Sequence, residues 1–135
     1  MSSTLGFRHP LVRTAVYQDA PLTDRLALHR ALADALTGPD HADRRAWHLA
    51  AASTGPDEQV AAELEHTAAG AGQRAGHTAA ATAYARAAQL SIDPADRARR
   101  YVLAAEAAGE AGQTDRARSL AAQVTAPTAN SVRPE

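Results

Sequence analysis

The stretch Leu28-His29-Arg30-Ala31-Leu32-Ala33-Asp34-Ala35-Leu36 decides the fold. Leu28, Ala31, Leu32, Ala35 and Leu36 recur at i, i+3, i+4, i+7 and i+8, the spacing of one face of an α-helix. Thr37-Gly38-Pro39 then stops the pattern, because glycine lets the backbone leave the helix and proline cannot continue it. Upstream, Pro10 suits a first helical position. A short helix is predicted from there to about Gln18, broken by Asp19-Ala20-Pro21. Thr23 then opens the helix that carries the stripe.

Downstream the same reading repeats. Asp40 is the expected cap of a third helix to about Ala52, with Ala46, Trp47 and Ala50 inward. Ser53-Thr54-Gly55-Pro56 breaks the chain before a fourth helix from Asp57, carrying Val60, Ala61, Leu64 and Ala68 and punctuated by Gly70, Gly72 and Gly76. A fifth is expected over Thr78–Leu90. Asp93-Pro94, a cap followed by proline in the first turn, starts a sixth to about Ala108. Thr114-Asp115 opens a seventh to about Val124. Gly76, Ala81 and Tyr84 recur as Gly112, Ala117 and Leu120, a shift of 36, close to the 34-residue period of TPR helix pairs.

Composition agrees. Alanine, the best helix former, is abundant, whereas the β-branched and aromatic residues of a sheet core are scarce: Phe7, Tyr17, Trp47, Tyr84 and Tyr101 are all the aromatics, and Ile92 is the sole Ile. The expected class is all-α, with about seven helices in antiparallel hairpins as a TPR-like bundle or short solenoid. The division expected is 1–38 for the first helices, 39–124 for the repeats and 125–135 for a flexible tail.

Lys+Arg is 14 against Asp+Glu 15, which argues against a nucleic-acid binder. A helix-turn-helix built on Arg8, Arg13, Arg25 and Arg30 has its field cancelled by Asp19, Asp24 and Asp34. Every one of the cations is Arg, the side chain suited to bidentate carboxylate contacts. Without cysteine there is neither a disulfide framework nor a thiolate metal site. No apolar run reaches the roughly twenty residues of a membrane span. The N-terminus lacks the regions of a signal peptide, so a cytoplasmic location is expected.

Chemistry-bearing motifs are few. No two of His9, His29, His41, His48, His66 and His77 stand three or four apart, so a metal site would have to be assembled from different helices. Gly70 to Gly76 lacks the strand and the Lys-Ser/Thr of a P-loop. His29 with Asp34, or His48 with Asp43, can be written as acid–base pairs, although neither has helical spacing.

Three segments in order, Phe7-Arg8-His9-Pro10-Leu11-Val12-Arg13, Leu28-His29-Arg30-Ala31-Leu32-Ala33 and Arg45-Ala46-Trp47-His48-Leu49-Ala50, resemble the large ATPase-type transcriptional regulators of the LuxR class found in actinomycetes. The resemblance implies that Leu5 and Phe7 are the remnant of the last strand of a winged-helix element. His9, Pro10 and Leu11 would open its last helix. His29, Leu32, Trp47 and His48 would fall where a TPR-like arm begins, as architectural and not catalytic positions. Walker sequences and a LuxR-type DNA-binding element are not found in the chain, so ATP hydrolysis and DNA binding do not carry over.

The expected function is therefore a non-enzymatic helical interaction or regulatory module. It would bind a protein partner or its own copy, without nucleic acid, membrane, metal or cofactor. Its candidate interface or ligand residues are Leu5, Phe7, His9, Leu11, His29, Trp47, His48 and Tyr84. The alternatives are a helical domain sensing a small-molecule effector, and a small helical enzyme using His29 or His48 as acid/base.

Overall fold

The structure is a computed structural model that describes residues 10–126, with side chains described for residues 21–126. It is all-helical. Six α-helices follow one another: α1 Pro10–Ala35, α2 Ala42–Ala52, α3 Glu58–Gln73, α4 His77–Leu90, α5 Pro94–Glu110 and α6 Thr114–Thr125. A 3₁₀ turn, Pro39–His41, leads into α2, and no strand occurs among the described residues. Each helix packs mainly on the one before it and the one after it.

The caps explain most boundaries. Asp57 and Asp93 each accept a hydrogen bond from the backbone N–H three residues on, at Val60 and Asp96, and so start α3 and α5. Ser53 and Ser91 close α2 and α4 by donating back to the carbonyls of Leu49 and Ala87. Gly70 and Gly72 do not end α3, which runs on to Gln73. Asp40 is not the cap expected of it: it lies inside the 3₁₀ turn, and His41 precedes α2.

Two expectations for the first helices are corrected. Asp19-Ala20-Pro21 does not break the chain, because α1 runs through Pro21. That merger makes six helices of the expected seven. A proline removes one i→i−4 bond, but neither glycine nor asparagine stands beside it to supply a left-handed exit. The second correction concerns the stripe. Leu28 is 55% exposed and Leu32 37%, and Ala31 and Ala35 are exposed as well. The inward positions are Leu26, His29, Ala33 and Leu36, of which Ala33 is fully buried. Apolar residues lie all round this helix, so periodicity alone chose the wrong side.

The core is built largely of alanine. Ala33, Ala46, Ala50, Ala61 and Ala87 meet Leu49, Val60, Leu64 and Leu90 in one cluster. A second holds Ala71, Ala80, Ala81, Ala107 and Ala108, with Tyr84, Ala117 and Leu120 packed against it. The residues of the sequence repeat thus share one core. Their glycines, however, are not equivalent. At the α3–α4 turn the left-handed residue is Ala75 (φ 61°), and at the α5–α6 turn it is Gly112 (φ 78°). Both turns are closed alike, by Gly76 N–H to Ala71 carbonyl (2.8 Å) and Gln113 N–H to Ala108 carbonyl (2.9 Å). These are the 6→1 bonds of a Schellman motif. Gly76 matches Gln113, one residue off the register read from sequence.

An alanine in the left-handed region is strained where a glycine is not. Ala75→Gly is therefore expected to stabilise the protein, by about 0.5–1 kcal/mol, and Gly112→Ala to destabilise it by about 1 kcal/mol. Equilibrium urea denaturation of both variants checks the pair; a loss of stability from Ala75→Gly would refute the turn geometry.

Candidate functional site

The α1–α2 hairpin gathers most of the sequence-derived candidates. Arg45 meets Ala33 and His48 meets His29, so residue numbers rise on one helix as they fall on the other and the pair is antiparallel. Arg45 Nη1 donates to the Ala33 carbonyl at 2.7 Å. That carbonyl lies in the last turn of α1, where a cation meets the negative end of the helix dipole. One turn away, the Nδ1 atoms of His29 and His48 lie 3.0 Å apart, with ring centroids at 5.2 Å and planes tilted by 31°. Both rings are half-buried. A neutral imidazole has one N–H and one acceptor nitrogen, so one ring donates to the other.

Leu28 and Trp47 are each the residue before the histidine of their helix, about 100° round from it. In an antiparallel pair, the same rotation from the shared interface leads to the same flank. Leu28, Leu32 and Trp47 therefore share one flank of the hairpin. The other flank is closed by α3, against which Ala46, Leu49 and Ala50 pack. Trp47 is not the inward residue expected: it is 38% exposed, because positions 46, 49 and 50 already fill the inner face.

Tyr84 is not part of this group. It packs half-buried against the second core cluster, where burial, reinforced by the Glu65 carboxylate, raises its hydroxyl pKa. Leu5, Phe7 and His9 lie outside the described residues. Leu11 falls within α1, and its side chain lies outside those described. The acid–base pairs do not form: His29 and His48 bond each other, while Asp43 accepts from Thr67 Oγ1 (3.1 Å) and lies 3.6 Å from Arg74.

Sequence reasoning missed the strongest electrostatic feature, a clamp between α3 and α5. Arg100 is buried at 2% exposure. Its guanidinium donates to both oxygens of Glu58 (3.0 and 2.8 Å), to Glu65 Oε1 (2.8 Å) and to Ser91 Oγ (2.6 Å). Arg99 adds a bidentate pair to Glu65 at 2.6 and 3.0 Å. Buried charge of this kind persists only when it is paired and hydrogen-bonded, and every donor position used here has an acceptor. The Arg99 guanidinium, then Arg100, hold the Glu65 carboxyl down at about 2 against an ordinary 4.5. Arg100 also lowers Glu58. The available signal was the Arg99-Arg100 pair with Glu58 and Glu65 two turns apart, yet nothing in the local pattern marks Arg100 as buried.

A groove of about 330 Å³ lies between α2 and α3, lined by Ala42, Gln59, Ala62, Glu63, His66 and Thr67. Among the described residues no group of three or more His, Asp or Glu side chains is placed to hold a metal, and no helix is long and apolar enough to cross a membrane. No protein-family model, curated protein or solved structure matches the chain.

The clamp makes stability acid-sensitive. A carboxylate held below its unfolded value contributes stability that is complete above about pH 4.5 and is lost as pH falls towards about 2. Glu65→Gln should lower stability at pH 7 and flatten the acid limb between those values, read by urea denaturation at a series of pH values. Arg100→Met should cost about 2 kcal/mol at pH 7, because Glu58 and Ser91 lose the guanidinium while Glu65 keeps only its Arg99 pair. An unchanged midpoint would contradict the clamp.

Proposed function

We propose that the chain is a non-enzymatic helical interaction module built of TPR-like hairpins, related to the arm of a LuxR-class transcriptional regulator. The observation that carries the reading is the open flank of the first hairpin, where Leu28, Leu32 and Trp47 stand more than a third exposed beside a hairpin otherwise closed by α3. Large apolar side chains grouped on one face of a protein mark interaction surfaces, and tryptophan is enriched where interfaces concentrate their energy. The occupant is a helix laid along α1, the helix-in-groove mode of recognition, and a second copy of this chain is the simplest source of it.

Three further features support the TPR-like part. Helices pack sequentially, neighbour on neighbour. Asp57 and Asp93 cap successive hairpins in the same way. The turns at Ala75 and Gly112 share one hydrogen-bond pattern. Stacking of equivalent hairpins is the logic of helical repeat proteins, which display extended surfaces for partners.

Sensing of a small-molecule effector is the second reading, favoured by the groove between α2 and α3, whose volume falls within the range of ligand sites. A metabolite seated there would raise Tm in a concentration-dependent manner.

Light scattering coupled to size-exclusion chromatography, across a range of concentrations, tests the first reading. The wild type is expected to self-associate, and Leu28→Asp to give monomer with an unchanged helical circular-dichroism spectrum. A wild type that stays monomeric at every concentration would remove the second copy as the occupant.

A further inference from the structure

We propose that His29 and His48 form a two-histidine binding site for a divalent transition-metal ion, with Zn²⁺ fitting best, that staples α1 to α2. Sequence spacing offers no histidine pair on a single helix; the fold supplies one across two. Imidazole nitrogen is the commonest protein ligand for such ions, through Nδ1 or Nε2. Here two Nδ1 atoms, from helices held antiparallel by the Arg45–Ala33 bond, already point at one another.

The ring spacing selects the geometry. The two centroids are 5.2 Å apart and the two nitrogens 3.0 Å, so the rings meet nearly head to head. With a Zn–N bond of about 2.1 Å and the nitrogen about 1.1 Å from its ring centre, an ion held by both rings at that centroid spacing subtends about 109°, the tetrahedral angle of zinc. The nitrogens then stand about 3.4 Å apart, so each ring turns by roughly 35° out of the present head-to-head line and the nitrogens part by about 0.4 Å. The ion takes the place of the proton that bridges the pair, which moves to Nε2 of its own ring as that imidazole changes tautomer, and water completes its coordination, because the described residues offer no third His, Asp or Glu at this point. Both rings are half-buried, which leaves the position open to solvent while the rings stay oriented by packing. The staple acts on the helix that carries Leu28 and Leu32. Metal occupancy would therefore fix the flank on which the interaction reading rests, but the site itself does not depend on that reading.

Isothermal titration of the full chain with ZnCl₂ in a non-chelating buffer, paired with thermal melts, tests this. One Zn²⁺ per chain and a Tm that climbs with metal concentration are expected. His29→Gln and His48→Gln should each weaken binding by about tenfold or more, and His66→Gln should leave it unchanged. Co²⁺ added to the wild type should give the intense visible bands of a tetrahedral ion, a readout that needs no variant to fold. Absence of saturable uptake by the wild type would overturn the proposal. So would uptake that survives both substitutions, or the weak bands of an octahedral ion.

Discussion

Alanine-on-alanine packing is the constraint on which this structure depends. Small side chains let helix backbones approach closely, and the buried faces of α3, α4 and α5 are mostly methyl groups. Leu64 is the largest fully buried side chain. Hydrophobic stabilisation follows apolar area, about 25 cal/mol per Å², and a methyl contributes little of it. A core of this kind fixes helix spacing well and leaves little margin, so specific polar ties between helices weigh more than they would in a leucine-rich bundle.

Arginine supplies those ties. Arg45 from α2 reaches the last turn of α1 at the Ala33 carbonyl, Arg86 from α4 the last turn of α2 at the Ala50 carbonyl, and Arg97 from α5 the end of α6 at the Gln123 and Ala126 carbonyls. Each places a cation at the negative dipole end of a helix, on a carbonyl of its last turn or cap. Arg97 also lies 4.8 Å over the Tyr101 ring, a cation–π contact. Arg100 does the heavier task of joining α3 to α5 through two carboxylates and Ser91. A planar fork with five donors performs these bridges, and a lysine ammonium could not satisfy the same set at once. An exclusively arginine cation complement thus acquires a structural use, whatever its origin.

Much of the helical order was legible because caps and breakers carry local chemistry. Asp57, Asp93-Pro94 and the stop after Leu36 each act through their own backbone, so spacing alone reveals them. Where tertiary context decides, the reading failed. In α1 leucine and alanine occur on every side, and only the presence of α2 at His29 and Ala33 determines which face is inner. Trp47 was misplaced for the same reason, since its size suggests burial but three smaller neighbours occupy the inner face. The meeting of His29 with His48 and the burial of Arg100 are long-range events with no local signature. In the repeat, the core residues were found, but the turns are one residue out of step, because backbone geometry puts Ala75 where Gly112 stands in the second copy.

Helices α2 to α5 have packed neighbours on two sides, whereas α1 and α6 each rest mainly on one; of these two, α1 carries large leucines outward at Leu28 and Leu32. We propose that this helix gains its missing cover from a partner helix, first of all from another copy of the chain. Hydrogen exchange by mass spectrometry at low and high protein concentration addresses it most directly. Slower exchange at high concentration, confined to peptides covering α1 and the Trp47 turn of α2, is the predicted result. Exchange in α1 that is independent of concentration, or protection that rises only around α5 and α6, would contradict the account.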